Sequence, residues 1–209
     1  MPKMRFRVFF VSCVIVAFAA SLSAKSKDFV KPAAQSAKTY ACHDDHANDK
    51  VAIAADPYNT SEKSKVFTIN FREHDFLPVF FIVTNDGDQP ISVSNMQITL
   101  TTANRDKLTP ADPEDIFRRL TNPHANTHPI PVPIPQKKVK GGLSQKDRDE
   151  IESAQFAAKA VEPHTTQSGF LFFDVADISE PLVGARLFVT GVNDAKGAEL
   201  MYFEIPTGK

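Results

Sequence analysis

The chain has no tryptophan, only two cysteines and only eight glycines among its 209 residues. With no Trp and 17 Phe, its aromatic content lies in core-type residues, not in a sugar-stacking platform. No G-x-S-x-G elbow surrounds Ser168-Gly169 and no Gly-rich phosphate loop occurs, so nucleophilic hydrolysis has no motif to rest on. Charge of one sign is also missing. The 24 basic and 25 acidic residues leave a net charge of -1, which offers no clustered basic face for nucleic acid.

Cysteine scarcity gains meaning from the first 24 residues. Lys3, Arg5 and Arg7 precede an apolar run from Val8 to Ala20, closed by Ser21, Ser23 and Ala24. This is the layout of a secretory signal peptide. The run is short for a membrane span of ~20 residues, and no second one exists, so no span is expected after cleavage. Removal near Ala24 leaves about 185 residues, enough for one sizeable domain. Loss of the leader's three positive charges takes the formal charge from -1 to -4. The expected location is the periplasm or the cell exterior. Cys13 leaves with the leader, so Cys42 has no intrachain disulfide partner; it is a thiol, an intermolecular bridge or a ligand.

Residues 25–49 are polar and without period, which reads as a mobile lead-in. The folded domain is expected over 50–209, beginning with an edge strand at Val51–Ala55. Val66–Phe71 alternates apolar and polar residues at strand period. Leu77–Thr84 is β-branched and aromatic, and ends at Asn85-Asp86-Gly87-Asp88, where Gly87 allows a tight reversal into a strand near Ile91–Ser94. Met96–Thr102 alternates again, and Asn104–Asp106 reads as a turn.

The strand pattern then breaks. Asp112 caps a short helix with Pro113 at its first position, running to Leu120. Asn122–Gly142 is Pro-rich: Pro129, Pro131, Pro133 and Pro135 alternate with Ile130, Val132 and Ile134, a polyproline II pattern that a central strand excludes. Ser144 with Asp147 resembles a capping box for a second helix to about Val161, with Ile151, Ala154, Ala158 and Val161 as its stripe. Strands return at Phe170–Val175, Ala185–Val192 and Leu200–Ile205.

About seven short strands at this spacing predict a mainly β protein, an antiparallel β-sandwich, with a helical and Pro-rich insertion at about 110–160. Val79–Ser92, with its strand, Asn, turn, Pro and strand, is similar to a segment of bacterial exported immunoglobulin-like domains of the telokin-like kind. Val161-Glu-Pro163 followed by Ser168–Val175 resembles their later Gly-aromatic strand. The likeness covers roughly 66–102 and 161–205. It implies an immunoglobulin-like fold and a non-enzymatic binding, assembly or accessory role, and it brings no catalytic residues.

Cys42-His43-Asp44-Asp45-His46 is the densest chemical cluster. Cys42, His43 and His46 are ligand types suited to Zn, Cu or Ni, with His74 or His164 as further donors; a polar lead-in segment explains them too. His124 and His128 flank a Pro-bounded loop. Arg72-Glu73-His74-Asp75 reads as a solvated turn with acid/base residue types, and Asn85, Asp86 and Asp88 as turn residues with a partial calcium-loop pattern. Phe80-Phe81 and Phe170–Phe173 read as core. Of the consecutive Phe172 and Phe173, one must face away from the inter-sheet core, under the insertion or toward a partner. The functional expectation is an exported binding module for a protein or surface component, with the insertion as contact element. The alternative is periplasmic transition-metal binding through Cys42, His43 and His46.

Overall fold

The computed structural model describes residues 28–122 and 143–208. The described chain is mainly β, built from antiparallel sheets with two α-helices. The strands are β1 (His43–His46), β2 (Val51–Pro57), β3 (Phe76–Asn85), β4 (Ile91–Ser92), β5 (Gln97–Thr101), β6 (Lys107–Leu108), β7 (Ala160–Val161), β8 (Thr165–Asp174), β9 (Arg186–Thr190) and β10 (Phe203–Pro206). One sheet has the order β1-β2-β3-β8, the other β10-β9-β5-β6, and β4 pairs with β7 beside them.

β3 organises the molecule. Its ten residues are all buried, because the run is apolar at both parities and so needs cover on both faces. Leu77, Val79, Phe81 and Val83 enter the core between the sheets, with Leu171 and Phe173 of β8 and Leu187, Val189, Phe203 and Ile205 opposite. Phe76, Phe80 and Ile82 point the other way, with Phe170 and Phe172, into a second core. Consecutive Phe172 and Phe173 thus serve the two cores and are both buried.

The second core is covered by the insertion and by the loops after β2. Helix α1 (Pro113–Thr121) starts where the Asp112 carboxylate accepts the Asp115 N–H at 2.8 Å, and it buries Ile116 and Phe117. Helix α2 (Gln145–Ala154) carries a complete capping box between Ser144 and Asp147 and buries Ile151 and Ala154. An aspartate suffices in place of the usual glutamate because its carboxylate reaches the Ser144 N–H at 2.9 Å.

Several elements differ from the sequence expectation. Val66–Phe71 is not a strand: 3-10 turns occupy Lys63–Val66 and Phe71–His74. The alternation is still meaningful, since Phe67 and Phe71 are buried, but the backbone finds a side-chain partner in place of a strand. The buried Glu150 carboxylate of α2 accepts the Thr68 N–H at 2.9 Å, the Ile69 N–H at 3.3 Å and the Thr68 hydroxyl. Helix α2 ends at Ala154, short of Val161. Residues Gln155 and Phe156 leave it to lie along the edge of β8, where the Phe156 N–H donates to the Phe170 carbonyl at 3.1 Å. They approach so closely that a Cβ on Gly169 would sit 2.4 Å from Phe156 Cα.

Val51–Ala55 is an interior strand, not an edge, because β1 pairs beyond it. Residues 25–49, expected to be a mobile lead-in, contain β1 and a 3-10 turn at Ala37–Thr39 within their described part. The Ala37 N–H donates to Thr84 Oγ1 at 2.9 Å, so this stretch is tied to β3. β4 does not fold back on β3. The buried Asn85 side chain holds the intervening turn by donating to the Gln89 and Val161 carbonyls and accepting the Gly87 N–H, and β4 then pairs with β7. Gly87 is not among the positive-φ residues. The Pro-rich run falls outside the described residues.

Replacing Glu150 by Ala leaves two backbone N–H groups without their partner. The expected loss is about 2–3 kcal/mol of unfolding free energy, read in urea as a lower midpoint at unchanged slope. Thr68→Val removes one of the three donors and is expected to cost less. Phe172→Ala should cost about 3–5 kcal/mol, the range for a buried Phe. A midpoint unmoved by Glu150→Ala contradicts the bridging role.

Candidate functional site

The cluster Cys42–His46 lies on and just before β1, and strand geometry disperses it. Successive side chains point to opposite faces, so His43 and His46, three residues apart, face opposite ways. His43 Nδ1 lies 2.6 Å from the Tyr40 carbonyl on the outer side. His46 stacks on Phe203 of β10 with ring centroids 3.9 Å apart. Its Nε2 lies 3.5 Å from Asp44 and its Nδ1 3.7 Å from Asp49. Cys42 shares the parity of His46 and packs against the inter-sheet core, but four residues of extended chain separate their backbones by ~13 Å. A shared ion needs donors within ~2.3 Å of one point. Among the described residues no group of three or more His, Cys, Asp or Glu side chains is arranged to hold a metal. His74 lies on the 3-10 turn after Asn70, and His164 faces Asp88 at 3.3 Å; neither joins the cluster. His124 and His128 lie outside the described residues.

Asp86, Asp88 and Arg72 are engaged with neighbouring residues. Lys38 bridges Asp86 at 3.1 Å and Asp45 at 3.3 Å, and its ammonium titrates above its ordinary value because of these hydrogen bonds, Asp86 first. Asp88 accepts from Lys50 at 3.0 Å, which holds its carboxyl below the usual range. These contacts clamp the Asn85–Gln89 turn to its surroundings. Arg72 donates to the Asn59 carbonyl at 3.0 Å, and Asp75 takes a left-handed conformation, φ 60°, ending the 3-10 turn.

Two clefts meet near Asn59. One, of about 520 Å³, is lined by Arg72, Asp75, Leu77, Ile178 and Val183 among others. A smaller one, of about 280 Å³, shares Asn59, Leu182 and Val183 with it and reaches Lys63 and Thr207. A third, again about 520 Å³, opens over Phe67, Thr68 and Ile69 beside Ser64 and Arg72. All three linings mix apolar side chains with several polar or charged ones, such as Arg72, Asp75 and Glu180 in the first and Lys65, Asn70 and Glu73 in the third. The loop residues that build them carry no motif, and the residues contributed by 176–183 were not singled out in the sequence.

Sequence reasoning also missed the aromatic cluster on the outer face. Phe67 lies 4.7 Å from Phe170 and 5.0 Å from Phe71, and Tyr58 stands edge-on to Phe170 at 4.9 Å. The period-two pattern of 66–71 was the available signal. Burial, and secondarily the Asp56 charge, push the Tyr58 hydroxyl up to about 12.

Comparison with protein-family models, curated proteins and solved structures finds no match for this chain.

The raised Tyr58 value sets a pH expectation. A group whose value is raised by folding adds stability below its unfolded value, ~10 for tyrosine, and loses it as pH rises through the folded one. Ultraviolet titration should therefore show one of the three tyrosines ionising near 12, with stability falling between about 10 and 12. Tyr58→Phe should remove the late step; a late step surviving it contradicts the assignment.

Proposed function

We propose that this chain is an exported, non-enzymatic, immunoglobulin-like binding module whose insertion recognises a protein or a surface component. The supporting observation is the anchoring of the two helices on either side of residues 123–142. Ile116 and Phe117 of α1 and Ile151 and Ala154 of α2 are buried in the outer core. Arg119 of α1 is nearly buried and bonded to Asp174 at the end of β8. A 20-residue connection with alternating prolines thus joins two fixed points on a rigid sandwich. Long connections on rigid frames commonly carry recognition, and proline lowers the entropy lost on capture. The leader layout of residues 1–24 supports delivery outside the cytoplasm.

A photo-crosslinking residue at Ile130 or Ile134, in protein expressed with its leader, tests the reading. One discrete crosslinked species is expected, lost when residues 123–142 are exchanged for a Gly-Ser linker of equal length. The linker chain should unfold at an unchanged urea midpoint. Capture of the same species by the linker chain rejects the insertion as contact element. Recovered protein should begin at Lys25, and intact mass retaining residues 1–24 rejects export by cleavage.

A further inference from the structure

We propose that residues 28–36 form a displaceable strap over a preformed aromatic groove, and that the groove takes in exchange an extended peptide of the strap's own chemistry. That chemistry is one aromatic side chain followed by small residues on the same face. The proposal deepens the binding reading above but uses a different surface from the insertion.

The strap and its continuation are held in different ways. From Ala37 onward the chain is locked: Ala37 is buried, its N–H is bonded to Thr84, and β1 is laddered to β2. Before Ala37, no backbone–backbone hydrogen bond joins residues 28–35 to the body among the described residues. Contacts involving a side chain hold this stretch, and its one backbone donor so engaged is the Gln35 N–H, which reaches the Tyr40 hydroxyl at 3.3 Å. Phe29 stacks on Phe67 with centroids 5.6 Å apart and meets Phe170 edge-on at 6.5 Å. The Lys31 ammonium donates to the Ser168 carbonyl at 3.0 Å, and Asp28 pairs with Lys146 at 2.7 Å. Both contacts are exposed, and exposed pairs contribute little.

The seating pattern states what the groove accepts. Phe29, Pro32, Ala34 and Ser36 are half-buried toward the body, whereas Asp28, Val30, Lys31, Ala33 and Gln35 are exposed, with Val30 at 72%; the spacing is three residues from Phe29 to Pro32 and two thereafter. Phe29 fills the aromatic place and small residues cross the rest. The floor does not depend on the strap. Phe67, Phe170, Tyr58, Phe71 and Phe172 hold one another, and Glu150 fixes the backbone on which Phe67 stands. A preformed apolar site with a removable cover is a binding site held partly closed. A tethered strap acts at an effective concentration of about millimolar, so a free peptide meets a groove whose available fraction is small.

Fluorescence anisotropy on the full mature chain, residues 25–209, tests this with a labelled peptide of the sequence of residues 28–37. The Phe29→Ala chain should bind it saturably and at least tenfold more tightly than the unaltered chain. The same peptide with Ala in place of its Phe should bind at least tenfold more weakly. Lys31→Ala, which leaves the aromatic contact in place, should give a smaller gain and serves if Phe29→Ala does not fold. No saturable binding to a folded, strap-weakened chain overturns the proposal, as does equal binding by weakened and unaltered chains. An unaltered chain that dimerises in sedimentation, with the dimer lost in Phe29→Ala, assigns the groove to a second copy's strap and overturns the partner-peptide assignment. The Gly-Ser linker chain should give the same peptide titration as the unaltered chain, so this proposal and the insertion reading fail independently.

Discussion

The double-sided burial of β3 is the constraint on which the rest of the structure depends. A sandwich covers one face of each sheet, and a strand with alternating polarity is content with that. β3 has Phe76, Phe80 and Ile82 on the face the second sheet cannot reach. β8 repeats the demand with Phe170 and Phe172, directly beside it in register with Phe80 and Pro78. Leaving five such side chains in water would forfeit roughly 1.5–3 kcal/mol each. The insertion, the loops after β2 and the residues before β1 share one physical task, to form a third layer over this face.

That task explains why polar groups appear where they do. A layer made of short helices and irregular chain carries backbone donors with no ladder to join. Glu150 meets two of them at once, Asp112 and Ser144 cap the helices, and residues 110–111 and 155–156 bond to the free edge of β8. The Ala111 N–H reaches the Phe172 carbonyl at 2.8 Å and the Phe156 N–H the Phe170 carbonyl at 3.1 Å. Both flanks of the insertion therefore close an edge that would otherwise invite pairing with another chain. Gly169 is what makes the approach possible, since any side chain there would meet the backbone of Phe156.

Much of this was legible in the sequence. The continuous apolar runs at Leu77–Thr84 and Phe170–Val175 marked β3 and β8, and the capping residues Asp112, Pro113 and Ser144 marked both helix starts. That one of Phe172 and Phe173 must face away from the inter-sheet core followed from parity alone; that it is Phe172 is seen only in the structure. What was not legible were partnerships made at long range. The period of 66–71 was correct for burial but not for hydrogen bonding, because its acceptor lies some 80 residues later in Glu150. The stripe of the second helix counted Ala158 and Val161, since nothing local marks Gln155 as the residue that leaves for β8. Cys42, His43 and His46 form a dense cluster in sequence. β1 spreads them, because a strand separates residues that a compact loop would gather.

The same distinction bears on how the two sheets are joined. At the seam β1 and β10 meet without a backbone ladder; the Glu204 N–H donates to the Asp44 carboxylate at 2.8 Å, and the His46 ring lies flat on Phe203. Within that polar segment Asp44 and His46 thus act as a clasp between sheets, where a carboxylate replaces a carbonyl and an imidazole closes an aromatic contact. The clasp fixes β1, and β1 in turn fixes Ala37 against Thr84. Upstream of that point, among the described residues, no backbone–backbone hydrogen bond ties residues 28–35 to the body. The boundary between laddered chain and the proposed strap therefore falls where backbone–backbone hydrogen bonding stops, not where the polar composition changes, and composition alone could not have located it.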